Sequence, residues 1–136
     1  MMAWFESIER IEMEEELLRA KAQTLPESQR KDFFKLQSKQ LKDPDTYAAL
    51  NWLFLGGVHH FYLRKYLLFA IELCILVVAI VLLALGFRSA LLLVCALTLY
   101  ELPHLFCAQR IVRQWNLQSS QAIYHQLRAQ AKSIVV

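Results

Sequence analysis

Gly56-Gly57-Val58-His59-His60-Phe61-Tyr62-Leu63-Arg64-Lys65 is the stretch that decides how this chain is read. It closes one apolar run, Tyr47 to Leu63, and leads into two longer ones. It is polar, aromatic and basic where membrane segments are usually plain.

The run before it has 17 residues and is interrupted by Gly56, Gly57, His59 and His60. A crossing helix needs about 20 mainly apolar residues, so this entry segment is marginal. Tyr66 to Gly86 has 21 residues and one charge, Glu72. At 1.5 Å per residue it would be about 31 Å long, enough to cross. Gly86-Phe87-Arg88-Ser89 reads as a tight turn, with glycine ending one helix and serine capping the next. Residues 89–108 make a second span, with Glu101, Pro103 and His104 late in it.

The remaining charge is unevenly spread. Met1 to Thr46 holds ten acidic and eight basic residues; only Glu72 and Glu101 are acidic after that, against seven basic residues. A net charge of +3, scattered along the chain, does not suit nucleic acid. It does suit a protein resting on an anionic leaflet. Cys74, Cys95 and Cys107 sit in apolar runs with no metal or disulfide spacing and are expected to be buried and inert. The acidic, amphipathic start lacks the basic-then-apolar pattern of a signal peptide.

Residues 3–22 read as an amphipathic helix. Trp4, Ile8, Ile11 and Leu18 have helical spacing, with Phe5 and Leu17 beside them and Glu6, Glu9, Glu12, Glu14 and Glu16 opposite. An acidic face suits a basic partner better than anionic lipid. Thr24 and Glu27 have capping-box spacing before a second helix. That helix carries Arg30, Lys31, Lys35, Lys39 and Lys42, candidate contacts for anionic lipid or for a partner. Asp43-Pro44-Asp45 is a helix start. Asn116 to Ser120 reads as a loop, and about 121–133 as a last amphipathic helix.

Two topologies compete. If 47–63 crosses, there are three spans, with six basic residues on one side and four on the other. If it only dips in, nine of those basic residues face the cytoplasm and Arg88 alone faces out, which the positive-inside rule favours. In either case Glu72 lies about 9 Å into the first firm span and Glu101 about 10 Å from the end of the second. Both therefore sit at the hairpin end opposite Arg88. His104 is one turn past Glu101, and the His59–Lys65 segment meets the same end.

Ionisable residues inside spans are costly and face a partner or a wet cavity. Glu72, Glu101, His59, His60, His104 and Arg64 thus form one candidate cluster. The plain expectation is an internal network in which Arg64 or a protonated histidine pairs with each glutamate. A proton or cation pathway is the functional counterpart. Glu-x-x-His at 101–104 has the spacing of carboxylate metal sites in bundles, but in a single copy, so no metal or other cofactor is expected. No serine or cysteine nucleophile has a base and an orienting partner at a fixed spacing, which gives no case for an enzyme.

Gly57-Val58-His59-His60-Phe61-Tyr62-Leu63 resembles the signature of the TM-two domain family. There a glycine, a small residue, a histidine or aspartate, a basic residue and Phe-Tyr-Leu follow an apolar helix. Tyr47 to Gly56 is similar to that family's entry helix, and Leu99-Tyr100-Glu101-Leu102 to its acidic position in the later span. The likeness covers about residues 46–106. This chain departs from the pattern in having Arg64 where the family usually has glycine, Tyr66-Leu67-Leu68-Phe69 for a glycine-containing stretch, and Glu101 for aspartate. The resemblance implies a helical membrane module, often joined to soluble extensions, and no catalytic activity.

The expected fold is therefore all-α integral membrane. It comprises a charged amphipathic cytosolic region (1–45), a membrane domain (46–108, with entry segment 47–63 and spans 66–86 and 89–108) and an amphipathic tail (109–136). The expected function is a non-enzymatic scaffold or interaction protein of the bacterial inner membrane, N-terminus cytoplasmic. Its partners would be the lipid bilayer and either further copies of itself or another membrane protein. The alternative is a small oligomeric proton or cation channel using Glu72 and Glu101.

Overall fold

The computed structural model describes residues 7–53 and 55–134. Trp4, Phe5 and Glu6 of the expected first helix lie outside the described residues. Helices take up 86% of the structure and no strand occurs among the described residues, so the fold is all-α. The elements are α1 (Ile8–Gln23), α2 (Glu27–Gln40), α3 (Pro44–Leu53), α4 (Val58–Tyr62), α5 (Tyr66–Ala84), α6 (Leu91–Phe106) and α7 (Ala108–Ile134). They divide into two compact units: residues 1–42 with 113–136, and residues 43–112.

The first unit joins both ends of the chain. Ser7 caps α1 by accepting from the Arg10 N–H at 3.3 Å. Thr24 does not open α2 as its spacing suggested. Its hydroxyl donates to the Lys21 carbonyl at 2.8 Å and closes α1, while α2 starts behind Pro26 with no side-chain cap. Ile11, Leu18 and Ala22 of α1, Phe33 of α2, and Leu117, Ile123, Tyr124 and Leu127 of α7 form the core, with Leu25 between α1 and α2. The acidic face of α1 meets a cation from its own chain. Arg113 donates to Glu12 at 2.8 Å and to Glu15 at 2.6 Å.

The loop expected at 116–120 is instead part of α7. Its polar residues turn sideways to α2 and the segment after it, rather than folding back on their own backbone. Asn116 accepts from the Lys42 N–H at 2.8 Å and donates to its carbonyl at 2.9 Å. Ser119 donates to Gln40 at 2.7 Å, and Ser120 accepts from Gln37 at 3.0 Å. Of the basic residues on this side, Arg30, Lys31, Lys35 and Lys39 are exposed and Lys42 half-buried. Lys31 pairs with Glu27 at 2.8 Å.

In the second unit, α5 and α6 form a hairpin, α3 packs on α6, and α4 packs on α3 and α5. Both arms, Tyr66–Ala84 and Arg88–Phe106, are long and apolar enough to cross a membrane. Gly86, at φ +90°, ends α5 with the Phe87 N–H reaching back to the Leu82 carbonyl at 3.0 Å. Ser89 does not cap α6. Arg88–Ala90 forms a 3-10 turn that leads into it. The outer surface of the arms is apolar, with Leu67, Val77, Val81, Leu92 and Leu99 among the exposed residues. Cys74 and Cys95 lie exposed on it and Cys107 is half-exposed, so the expected burial of the thiols is not met. Both exposed thiols lie among the apolar side chains of that outer surface, where a cysteine acts as a small hydrophobe.

The run from Tyr47 to Leu63 falls in two helices, α3, which begins before it at Pro44 and has 10 residues, and α4, which has 5. At 1.5 Å per residue the longer is about 15 Å, half a crossing. Asp43 caps α3, its Oδ2 accepting from the Thr46 hydroxyl and N–H at 2.7 Å each. These two bonds hold its carboxyl below the usual range. Pro44 takes the first helical position.

Candidate functional site

Glycine makes the site possible. The chain turns between α3 and α4 through Gly56 (φ +101°) and Gly57 (φ +79°), a left-handed region that side chains resist. A Cβ on Gly57 would strike the Glu72 carboxylate, so α4 can approach α5 only because that position is bare. The turn that follows α4 passes through Arg64, also left-handed at φ +59°, with the Lys65 N–H bonded to the His60 carbonyl at 2.9 Å.

Three elements deliver five polar side chains to one place: His59 and His60 from α4, Glu72 from α5, Glu101 and His104 from α6. His59 is 0% exposed, His60 1%, Glu72 4%, Glu101 4% and His104 5%. The rings of His59 and His60 lie 4.1 Å apart, His60 and His104 5.0 Å, and His59 and His104 5.4 Å. Nε2 of His60 stands 3.0 Å from Oε1 of Glu72, though not at a hydrogen-bonding angle. Glu101 accepts from the Gly56 N–H at 3.1 Å. His104 Nδ1 lies 3.2 Å from the Tyr100 carbonyl, one turn back, where it donates as Nδ1–H and leaves the ring's lone pair on Nε2.

Both ring nitrogens of His59, both of His60 and both carboxylate oxygens of Glu72 are buried without a hydrogen-bond partner. Burial, reinforced by His60 and His104, pushes His59 down to about 3, so its ring is neutral at physiological pH.

Not every expected member is present. Arg64 is exposed and stands outside the cluster, because the left-handed turn at its own α-carbon swings it away from the carboxylates. Phe61 is exposed and packs edge-on against Tyr66 and Phe69, at 5.4 and 5.3 Å. The Tyr62 hydroxyl accepts from the Asp43 N–H at 3.0 Å, tying the end of α4 to the start of α3. Two further residues belong to the site. Tyr47, fully buried, sets its ring edge-on to His59 at 5.2 Å. Asn51, buried, donates to the Glu101 main-chain carbonyl at 3.3 Å. Asn51 left a signal in the sequence, an amide alone in an apolar run. Tyr47 left none.

Compared with known proteins, the chain matches no family model, no curated protein and no solved structure.

Proposed function

We propose that this protein is a non-enzymatic interaction protein of the bacterial inner membrane, anchored by the α5–α6 hairpin and self-associating through its water-facing helical unit. The observation that carries the reading is the inside-out hairpin. The ionisable side chains at its core, Glu72, Glu101 and His104, are buried while its outer surface is apolar. A lipid environment accounts for that distribution and water does not. With α3 and α4 too short to cross, the topology has two spans. The N-terminus and the basic row Arg30, Lys31, Lys35 and Lys39 then lie on the cytoplasmic side, within reach of anionic lipid. The resemblance of residues 46–106 to the TM-two domain family agrees with such a module.

Self-association is supported by α1. Met13 and Leu17, one turn apart, are both more than half exposed on a unit that has its own core. Glu9, Glu12, Glu14, Glu15 and Glu16 outweigh Arg10 in the first part of this helix, and Arg19 and Lys21 stand at its end. Two copies of α1 running antiparallel about Leu17 would stack the two leucines, lay Met13 along the stem of the other copy's Lys21 and bring each acidic half near the other's basic end.

The test is disulfide trapping in native membranes. In a background with Cys74, Cys95 and Cys107 replaced by alanine, Leu17→Cys is expected to give a covalent dimer. A chain that stays monomeric under oxidation, and monomeric by sedimentation in mild detergent, contradicts self-association. For topology, a label at an Arg88→Cys position should be accessible from the side opposite a Ser133→Cys label. Labels on the same side contradict two spans.

A further inference from the structure

We propose that His59, His60 and His104, with Glu72 and Glu101, form a binding site for one divalent first-row transition-metal ion. The sequence alone argued against a metal because Glu-x-x-His occurs once. The fold adds two neighbouring histidines from α4 and a second glutamate from α5, and the five converge.

The geometry is that of a ligand set. One donor atom each from His59, His60 and His104 lie within 4.8 Å of one another, and the same holds for His59, Glu72 and Glu101. Around an ion with bonds of about 2.0–2.1 Å, tetrahedral donors stand about 3.4 Å apart. Each three-donor group is therefore within about 1.4 Å of ligand spacing. His59 belongs to both groups and sits at the centre.

The second argument is what these groups lack. A buried polar atom is ordinarily hydrogen-bonded. Here the two nitrogens of His59, the two of His60 and both oxygens of Glu72 have no such partner, and His60 Nε2 stands 3.0 Å from Glu72 Oε1. An ion would take a lone pair from each of the two rings and one or both oxygens of the carboxylate. His104 has the arrangement typical of a ligating imidazole, Nδ1–H held by a main-chain carbonyl and the lone pair on the opposite nitrogen.

Charge and chemistry select the ion. Two carboxylates and a divalent cation sum to zero, which suits a site enclosed by apolar helices. Imidazole nitrogens favour Zn2+, Co2+, Ni2+ or Fe2+ over Mg2+ and Ca2+, which prefer oxygen. Bound there, the ion would tie α4, α5 and α6 together.

The experiment uses the full chain, purified in detergent on a tag without histidine, dialysed against Co2+, Zn2+ or Mg2+ at micromolar concentration. The expected result is one Co2+ per chain, with visible absorption bands of a four- or five-coordinate nitrogen–oxygen site, displaced by Zn2+ and not by Mg2+. Co2+ should also raise the melting temperature. His104→Gln and Glu72→Gln, checked for native helicity and elution, should bind at least about tenfold more weakly, while His125→Asn, at the histidine outside the cluster, should bind as the wild type does. Folded wild type that takes up no Co2+ or Zn2+ overturns the proposal, and so does binding that survives in folded His104→Gln or is lost in His125→Asn. Because wild-type uptake is decisive by itself, a variant that fails to fold does not spare the proposal. Dimer trapping at Leu17 is read independently of metal.

Discussion

His60 of α4 and Glu72 of α5 meet at 3.0 Å in a place where neither side chain is more than 5% exposed. Both carry the cost of burying a polar group, and neither recovers it through a well-aligned hydrogen bond. What holds them there is the backbone around them: a turn that needs glycine before α4, a left-handed turn after it, and the packing of α4 on α3 and α5.

Gly57→Ala should be strongly destabilising. The added methyl meets the Glu72 carboxylate at a left-handed φ of +79°. Strain and overpacking together should cost about 2–4 kcal/mol. Thermal unfolding in detergent measures this, and a variant that melts with the wild type would show that α4 does not pack closely on α5.

Arg64→Gly should go the other way. Arg64 is exposed, outside the cluster and at φ +59°. A left-handed α-carbon costs an ordinary residue about 1–2 kcal/mol, partly offset by the extra freedom glycine gives the unfolded chain. The expected gain is about 0.5–1 kcal/mol in the same melt. A loss of stability would mean that the Arg64 side chain contributes contacts of its own.

Glu101 separates charge from hydrogen bonding. Its Oε1 accepts from the Gly56 N–H at 3.1 Å. Glu101→Gln keeps an acceptor in place and should stay folded, whereas Glu101→Ala strands a buried N–H at a cost of about 1–3 kcal/mol. Equal loss in both variants would show that the charge, not the acceptor, matters.

In the other unit, Arg113→Met should weaken the tie between α1 and α7. The guanidinium joins Glu12 and Glu15, about a third exposed, so the pair is screened, and the loss should be about 1 kcal/mol. The wild type should also lose some of this unit's stability at high salt while the variant does not. Identical salt responses would assign the contact no electrostatic weight. Phe33→Ala, in the core, should cost about 3–5 kcal/mol by comparison.

The apolar hairpin was more legible in the sequence than the site inside it. Composition and length alone mark Tyr66 to Gly86 as a helix long and apolar enough to cross a membrane. The antiparallel depth of Glu72 and Glu101 also follows from helix rise and a short turn. That His59 and His60 turn inward together follows from neither, since adjacent helical residues ordinarily point about 100° apart. Their joint burial comes from a five-residue helix packed between α3 and α5, with His104 of α6 reaching their rings. Arg64 misled because its sign suggested a partner for a carboxylate, while its backbone angle, invisible in the sequence, turns it outward. Asn116 and Ser120 read as loop residues because their local bonding preference is for turns. The bonds they make instead are to α2 and the residue that leads out of it, about 75–85 positions away.

The central claim is that the polar cluster clips α4 onto the hairpin, and a double-mutant cycle between His60 and Glu72 tests it most directly. His60→Gln, Glu72→Gln and the pair are melted under one set of conditions, in metal-free detergent and again with Co2+. The expected result is a coupling of about 0.5–3 kcal/mol between the two positions, larger with Co2+ present. Strictly additive losses in both conditions would contradict it, and would leave α4 held by its glycines and aromatic neighbours alone.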